Sequence, residues 1–156
     1  MKLFIDSASV KTIEELVPLR VIDGVTTNPS LLAKETGQPS EMLRQICEVV
    51  KGPVSAEVVA TDASEMIREG KQLAEIHEQI VVKVPFGKDG VKACAALASE
   101  GIRVNVTLVF SASQAILAAK VGATFVSPFV GRIDDLATDG MALIAQIVEI
   151  YDNYEF

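Results

Sequence analysis

Ile80-Val81-Val82-Lys83-Val84-Pro85 is an apolar run interrupted by a single lysine. Its length, its β-branched content and the closing proline predict a buried strand over residues 79–85. An ammonium in such a strand has three options. It is paired, it snorkels to water at the strand end, or it works as an amine. Burial disfavours the charged form, and a neutral amine is what Schiff-base chemistry needs. Lys83 is therefore a candidate nucleophile, and the neighbouring strands decide between the readings.

Outward from this run, β-branched segments alternate with amphipathic stretches. Strands are predicted over 2–6, 22–27, 53–59, 103–109 and 124–129. Helices are predicted over 9–17, 29–36 with 40–51, 62–76, 88–99, 111–121 and 138–153. Strand starts recur every ~20 to 30 residues, the size of a βα unit. Asn28-Pro29 puts a capping residue before a proline at the first helical position. Ser111-Ala112-Ser113-Gln114 and Asp62-Ala63-Ser64-Glu65 have capping-box spacing. Gly37, Gly101 and Gly122 are placed to end helices.

Successive βα units define an α/β chain with a parallel sheet. A doubly wound nucleotide binder would carry a Gly-rich turn after an early strand. The sequence has neither GxGxxG nor a P-loop lysine motif. Polar residues instead recur inside nearly every strand. That favours a (β/α)8 barrel of the TIM type, whose chemistry gathers at the C-terminal strand ends.

Side chains two apart in a strand share a face. Ser55 with Glu57, Asn105 with Thr107, and Ser127 with Phe129 are such pairs. Ala56, Val58, Val104, Val106, Leu108 and Pro128 fall on the opposite face and suit packing against outer helices. Asp6 ends the first strand, Thr27 and Asn28 end the second, and Lys83 lies late in the fourth. Six strands then send polar groups to one end of a barrel axis. Burying that many polar groups is costly unless they form a site. Two carboxylates on different strands are a weak metal signal. An amine, carboxylates, amides and hydroxyls together suit carbonyl and hydroxyl chemistry on a polyol.

Composition narrows the field. The 156 residues suffice for one domain with a core, and 49% are hydrophobic. A net charge of −7 argues against nucleic acid as a partner. It leaves room for a phosphorylated metabolite held by one local arginine. No apolar run reaches the ~18 residues of a membrane span, and the N-terminus lacks a signal-peptide layout. Cys47 and Cys94 read as buried free thiols of a reducing compartment, hence a cytoplasmic location. The only histidine, His77, precludes a multi-histidine metal site.

Five segments carry a resemblance. Gly24-Val25-Thr26-Thr27-Asn28-Pro29-Ser30-Leu31 resembles the N-terminal signature of the transaldolase family. Val81-Val82-Lys83-Val84-Pro85 resembles the segment around its Schiff-base lysine. Asn105-Val106-Thr107-Leu108-Val109-Phe110-Ser111, Ser127-Pro128-Phe129-Val130-Gly131-Arg132 and the opening Phe4-Ile5-Asp6 fit as well. The chain is most similar to the small single-domain transaldolases, whose relatives include the fructose-6-phosphate aldolases.

The resemblance implies a role for each matched residue. Lys83 would form the imine with a ketose phosphate, and Asp6 would act as acid/base on the C4 hydroxyl. Glu57 and Thr107 would position a water for proton transfer. Asn28, Thr27, Asn105, Ser127 and Phe129 would surround the three-carbon unit, and Arg132 would bind phosphate, the alternative being a surface pair with Asp134 or Asp135. No cofactor and no metal are implied. The partners implied are a sugar phosphate and further copies of the chain in a ring-shaped homo-oligomer. Aldolases of this kind favour Gln at position 57 and Tyr at position 129. Glu57 and Phe129 thus favour transfer over release of dihydroxyacetone.

Length sets a further expectation. Six units in 156 residues average about 26, so eight need about 208. Residues 1–156 are expected to form a single domain with about six of the eight units. The remainder would come from a longer chain, from a second copy, or from a rearranged sheet. An inactive barrel that only binds or assembles is the rival from a different class.

Overall fold

A computed structural model describes residues 1–156. The chain divides into two compact units, Met1–Ala60 with Arg68–Lys83, and Thr61–Ile67 with Val84–Phe156. The strands are β1 (Phe4–Asp6), β2 (Gly24–Thr26), β3 (Val54–Glu57), β4 (Ile80–Pro85), β5 (Val104–Val109) and β6 (Phe125–Pro128). Their order in the sheet is the order of the chain. The helices are α1 (Val10–Leu16), α2 (Pro29–Leu32), α3 (Pro39–Val49), α4 (Ala63–Ala74), α5 (Lys88–Ser99), α6 (Ala112–Lys120), α7 (Val130–Asp134) and α8 (Gly140–Tyr154). A fold of parallel strands in chain order with helices between them is α/β, a partial (β/α)8 arrangement. No helix is long and apolar enough to cross a membrane.

The first unit holds β1 to β3 and most of β4. Adjacent strands run parallel, with Asp6 opposite Thr26, Thr26 opposite Ser55, and Glu57 opposite Lys83. α3 forms because Met42, Leu43, Ile46 and Cys47 recur at helical spacing and are all buried. Pro39 opens it and Glu41 complements the dipole of its first turn. α3 packs on α1, whose Ile13 is fully buried. Each such side chain contributes roughly 1.5–3 kcal/mol relative to exposure. Gln79 ties the turn between α3 and β3 by donating its amide to Val50 O and to Gly52 O, the latter at 2.6 Å.

In the second unit, Phe86 N–H at the end of β4 donates to Thr107 O in β5 at 2.7 Å. β5 and β6 pair in parallel, with Asn105 opposite Phe125 and Thr107 opposite Ser127. α5 starts tightly against β4. A Cβ on Gly90 would lie 1.8 Å from Pro85 O, so only glycine permits this approach. Ser111 caps α6 by accepting from Gln114 N–H at 3.3 Å, and Gln114 Oε1 accepts from Phe110 N–H at 2.6 Å. α8 packs on α6, and Tyr151 donates its hydroxyl to Ala115 O at 2.8 Å.

All six expected strands form, each within two residues of its expected ends or trimmed by that much. Gly101 and Gly122 close α5 and α6 at φ of 79° and 92°. Leu108 departs from expectation. It does not pack on outer helices but is 39% exposed, with φ of 59°. The β5–β6 register shifts between Thr107 and Val109, and the extra residue of such a bulge leaves the alternation of faces. Phe129 departs as well. It lies beyond β6 and precedes α7, a short helix that apolar periodicity did not reveal.

Candidate active site

Lys83 is 8% exposed and sits in the strand that its apolar neighbours Val82 and Val84 bury completely. Its Nζ lies 3.1 Å from Glu57 Oε2. The two are register partners in adjacent parallel strands, so their side chains leave the sheet on the same face. Nζ also approaches Thr27 O, at 3.5 Å. A buried charge without a partner would cost several kcal/mol, about 3–5 on removing one member of such a pair. Pairing explains how the amine is tolerated there.

The first unit also carries Asp6, Thr27 and Asn28 among the expected groups. Asp6, at the exposed end of β1, accepts from Thr26 Oγ1 at 2.8 Å. That hydroxyl fixes one carboxylate oxygen and leaves the other for a ligand. Asn28 caps α2 by accepting from Leu31 N–H at 2.9 Å, which turns its amide nitrogen to donation elsewhere. Thr27 is fully buried and its hydroxyl donates to Ser55 O at 2.7 Å. Thr27 therefore faces Lys83 through its carbonyl, and its hydroxyl serves the strand pairing.

The second unit assembles a group of its own. Ser127 Oγ donates to Asn105 Oδ1 at 2.9 Å, and Asn105 is 3% exposed. Thr107 Oγ1 is buried without a hydrogen-bond partner in the protein. A buried hydroxyl in that condition is a position for a bound water or substrate atom. Phe129 stacks edge-to-face on Phe110 with ring centroids 5.6 Å apart. Arg132 is exposed on α7 and pairs with Asp135 at 3.6 Å. It lies with Leu108, Phe110, Phe129 and Leu136 around an open hollow.

Two contributors escaped the sequence reading. Thr26 fixes Asp6, and its place in the Thr-Thr-Asn-Pro run was the available signal. Phe110 supports Phe129 from the turn after β5, and no spacing rule links the two. Burial pushes the thiols of Cys47 and Cys94 up to about 11, consistent with buried free cysteines. No group of three or more His, Cys, Asp or Glu is arranged to hold a metal ion.

Residues 3–156 match the family described as Transaldolase/Fructose-6-phosphate aldolase. The chain belongs to this family. It is 59% identical over 154 residues to a probable transaldolase of Desulfosudis oleivorans, covering 99% of this chain and 72% of that protein. It is 60% identical over 156 residues to a probable transaldolase of Paracoccus denitrificans, covering 100% of this chain and 72% of the relative. Among solved structures, the carboxyl transferase domain of Rhizobium etli pyruvate carboxylase superposes with a TM-score of 0.59. That match spans 81% of this chain and 30% of the other at 10% identity, a likeness of fold alone.

Proposed function

We propose that the chain is a Schiff-base transaldolase. The carrying observation is Lys83, an amine buried in a strand with its Nζ on the Glu57 carboxylate. The donor is a ketose phosphate, fructose 6-phosphate or sedoheptulose 7-phosphate. Lys83 passes a proton to Glu57 and attacks the ketone carbon. The carbinolamine loses water, using a proton relayed by Glu57 and a water on Thr107, and becomes an iminium. Asp6 takes the proton of the C4 hydroxyl and the C3–C4 bond breaks. Its electron pair moves into the iminium, giving an enamine, and the aldose phosphate leaves. The enamine attacks the aldehyde of glyceraldehyde 3-phosphate or erythrose 4-phosphate. Asp6 returns the proton, and hydrolysis frees Lys83.

Asn28, Asn105 and Ser127 hold the hydroxyls of the three-carbon unit, and Arg132 leaves Asp135 for the substrate phosphate. Phe129 offers no phenol to protonate the enamine, which favours transfer over release of dihydroxyacetone. The setting is the pentose phosphate pathway in the cytoplasm, with the chain assembled as a homo-oligomer and no cofactor.

Borohydride reduction in the presence of fructose 6-phosphate tests this reading. A stable three-carbon adduct mapped to Lys83, absent in Lys83→Met, is expected. Folded protein that yields no adduct, or an adduct elsewhere, would overturn it. An acceptor aldehyde separates the two family activities: transfer gives a new ketose phosphate, whereas an aldolase accumulates free dihydroxyacetone.

A further inference from the structure

Glu57 is the last residue of β3, and the chain leaves the sheet directly after it. The next residue still belongs to the strand pairing: Val58 N–H donates to Lys83 O at 3.1 Å. Lys83 thus holds this segment twice, through its Nζ on Glu57 and through its carbonyl on Val58. Val59 and Ala60 have turned away from β4. Both of their N–H groups donate to a single oxygen, Glu69 Oε2, at 2.8 and 3.1 Å. Glu69 stands within α4, and all of these residues belong to the first unit.

Backbone N–H groups that leave a ladder need another acceptor. Here one carboxylate on a helix supplies it, and bonds to an ionised acceptor are roughly twice as strong as neutral ones. Side-chain packing does little at this point, because Val59 is 73% exposed. The exit of β3 is therefore held by buried Val58 on one side and by Glu69 on the other. Glu57 lies next to that clamp, and its carboxylate meets Lys83 over only 3.1 Å. A displacement of ~1 Å at a reacting pair can cost about 10²-fold in rate.

We propose that Glu69 is a positioning residue for the Schiff-base step: by fixing Val59 and Ala60 it holds the Glu57 carboxylate on Lys83. It touches neither the amine nor the substrate and acts through Glu57. This inference rests on the transaldolase reading and adds to it a residue of α4 that the sequence reading did not single out.

Timed borohydride trapping with fructose 6-phosphate, on natively folded protein, tests it. Glu69→Ala is expected to slow adduct formation on Lys83 by about 10- to 100-fold. Glu69→Asp, which withdraws the oxygens by one methylene, is expected to slow it too and serves where Glu69→Ala melts early. Glu69→Gln keeps an acceptor oxygen and is expected to restore the rate to within about threefold of the parent. In a Glu57→Gln background, Glu69→Ala is expected to add no further loss, because the group it positions is gone. Gln79→Ala loosens the same unit where the chain enters β3, and its rate is expected to stay near the parent's.

A second readout needs no sugar. Acetylation of Lys83, followed by peptide mapping, is expected to speed up in Glu69→Ala and in Glu57→Gln alike, since the amine has lost its counter-ion. The double variant is expected to go no faster than Glu57→Gln. Undiminished trapping in Glu69→Ala and Glu69→Asp would overturn the proposal. So would an equal loss in Gln79→Ala, no rescue by Glu69→Gln, or independent losses in the double variant. If the parent itself gives no adduct, the Schiff-base reading fails and the acetylation series decides the positioning of Glu57 by itself.

Discussion

Glu57 and Lys83 occupy the same register position in β3 and β4, and their charged atoms lie 3.1 Å apart. Strand pairing thus sets the distance between the buried amine and its carboxylate partner, which the proposed mechanism makes the acceptor of the amine's proton. Glu57→Gln keeps the shape and removes the charge. It is expected to slow borohydride-trapped adduct formation on Lys83 by about 10²–10⁴, the range of general acid–base contributions. Time-resolved trapping read by intact mass checks this. A variant within threefold of the parent would remove Glu57 from the proton relay.

Thr107 offers a test in which stability and activity part. Its buried hydroxyl has no protein partner. Thr107→Val removes that atom at nearly constant volume. Urea denaturation is expected to show unchanged or greater stability, by up to about 1 kcal/mol, because an unsatisfied polar group is expensive to bury. Trapping on Lys83 is expected to slow about tenfold or more. A clear loss of stability in this variant would mean that the hydroxyl is satisfied in solution for structural reasons.

Glu69 holds the chain where it leaves β3, accepting from two successive backbone N–H groups. Val59 is 73% exposed, so water can replace part of what is lost. Glu69→Ala is expected to destabilise by about 0.5–1.5 kcal/mol, and Glu69→Gln, which retains an acceptor, by less. Chemical denaturation of both variants decides. Equal losses would mean that charge rather than the acceptor matters.

Both thiols titrate above their ordinary value because burial disfavours the thiolate. The folded state therefore holds protons that the unfolded state releases. Stability is fully present below about pH 9 and falls as pH rises toward about 11. A Cys47→Ala/Cys94→Ala double variant is expected to lose stability less steeply across that window. In the parent, aromatic-disulfide labelling at pH 8 should proceed only as fast as the protein opens. Rapid labelling of the native protein would contradict the burial of either thiol.

The βα alternation, the six strands and the burial of Lys83 were legible in the sequence because each rests on local periodicity or on a polar residue in an apolar run. Caps were legible for the same reason, since Asn28 and Ser111 act on backbone within three residues. Contacts between distant segments were not. The sequence placed Leu108 with the packed valines, yet the shifted β5–β6 register turns it to solvent, and a bulge depends on the partner strand. Nor was the partner of the Thr27 hydroxyl legible, since Ser55 O in β3 lies 28 residues on.

Composition and spacing alone determined the class of fold, because hydrophobic burial imposes periods of two and 3.6 on any chain that folds this way. Tertiary structure alone decided which oxygen faces which nitrogen. The ion pair of Lys83 with Glu57, the hydroxyl on Asp6 and the orphaned hydroxyl of Thr107 depend on distances of a few ångströms between strands far apart in sequence. Hydrogen bonds and ion pairs are short-ranged and directional, so they are specified only once the sheet has fixed its register.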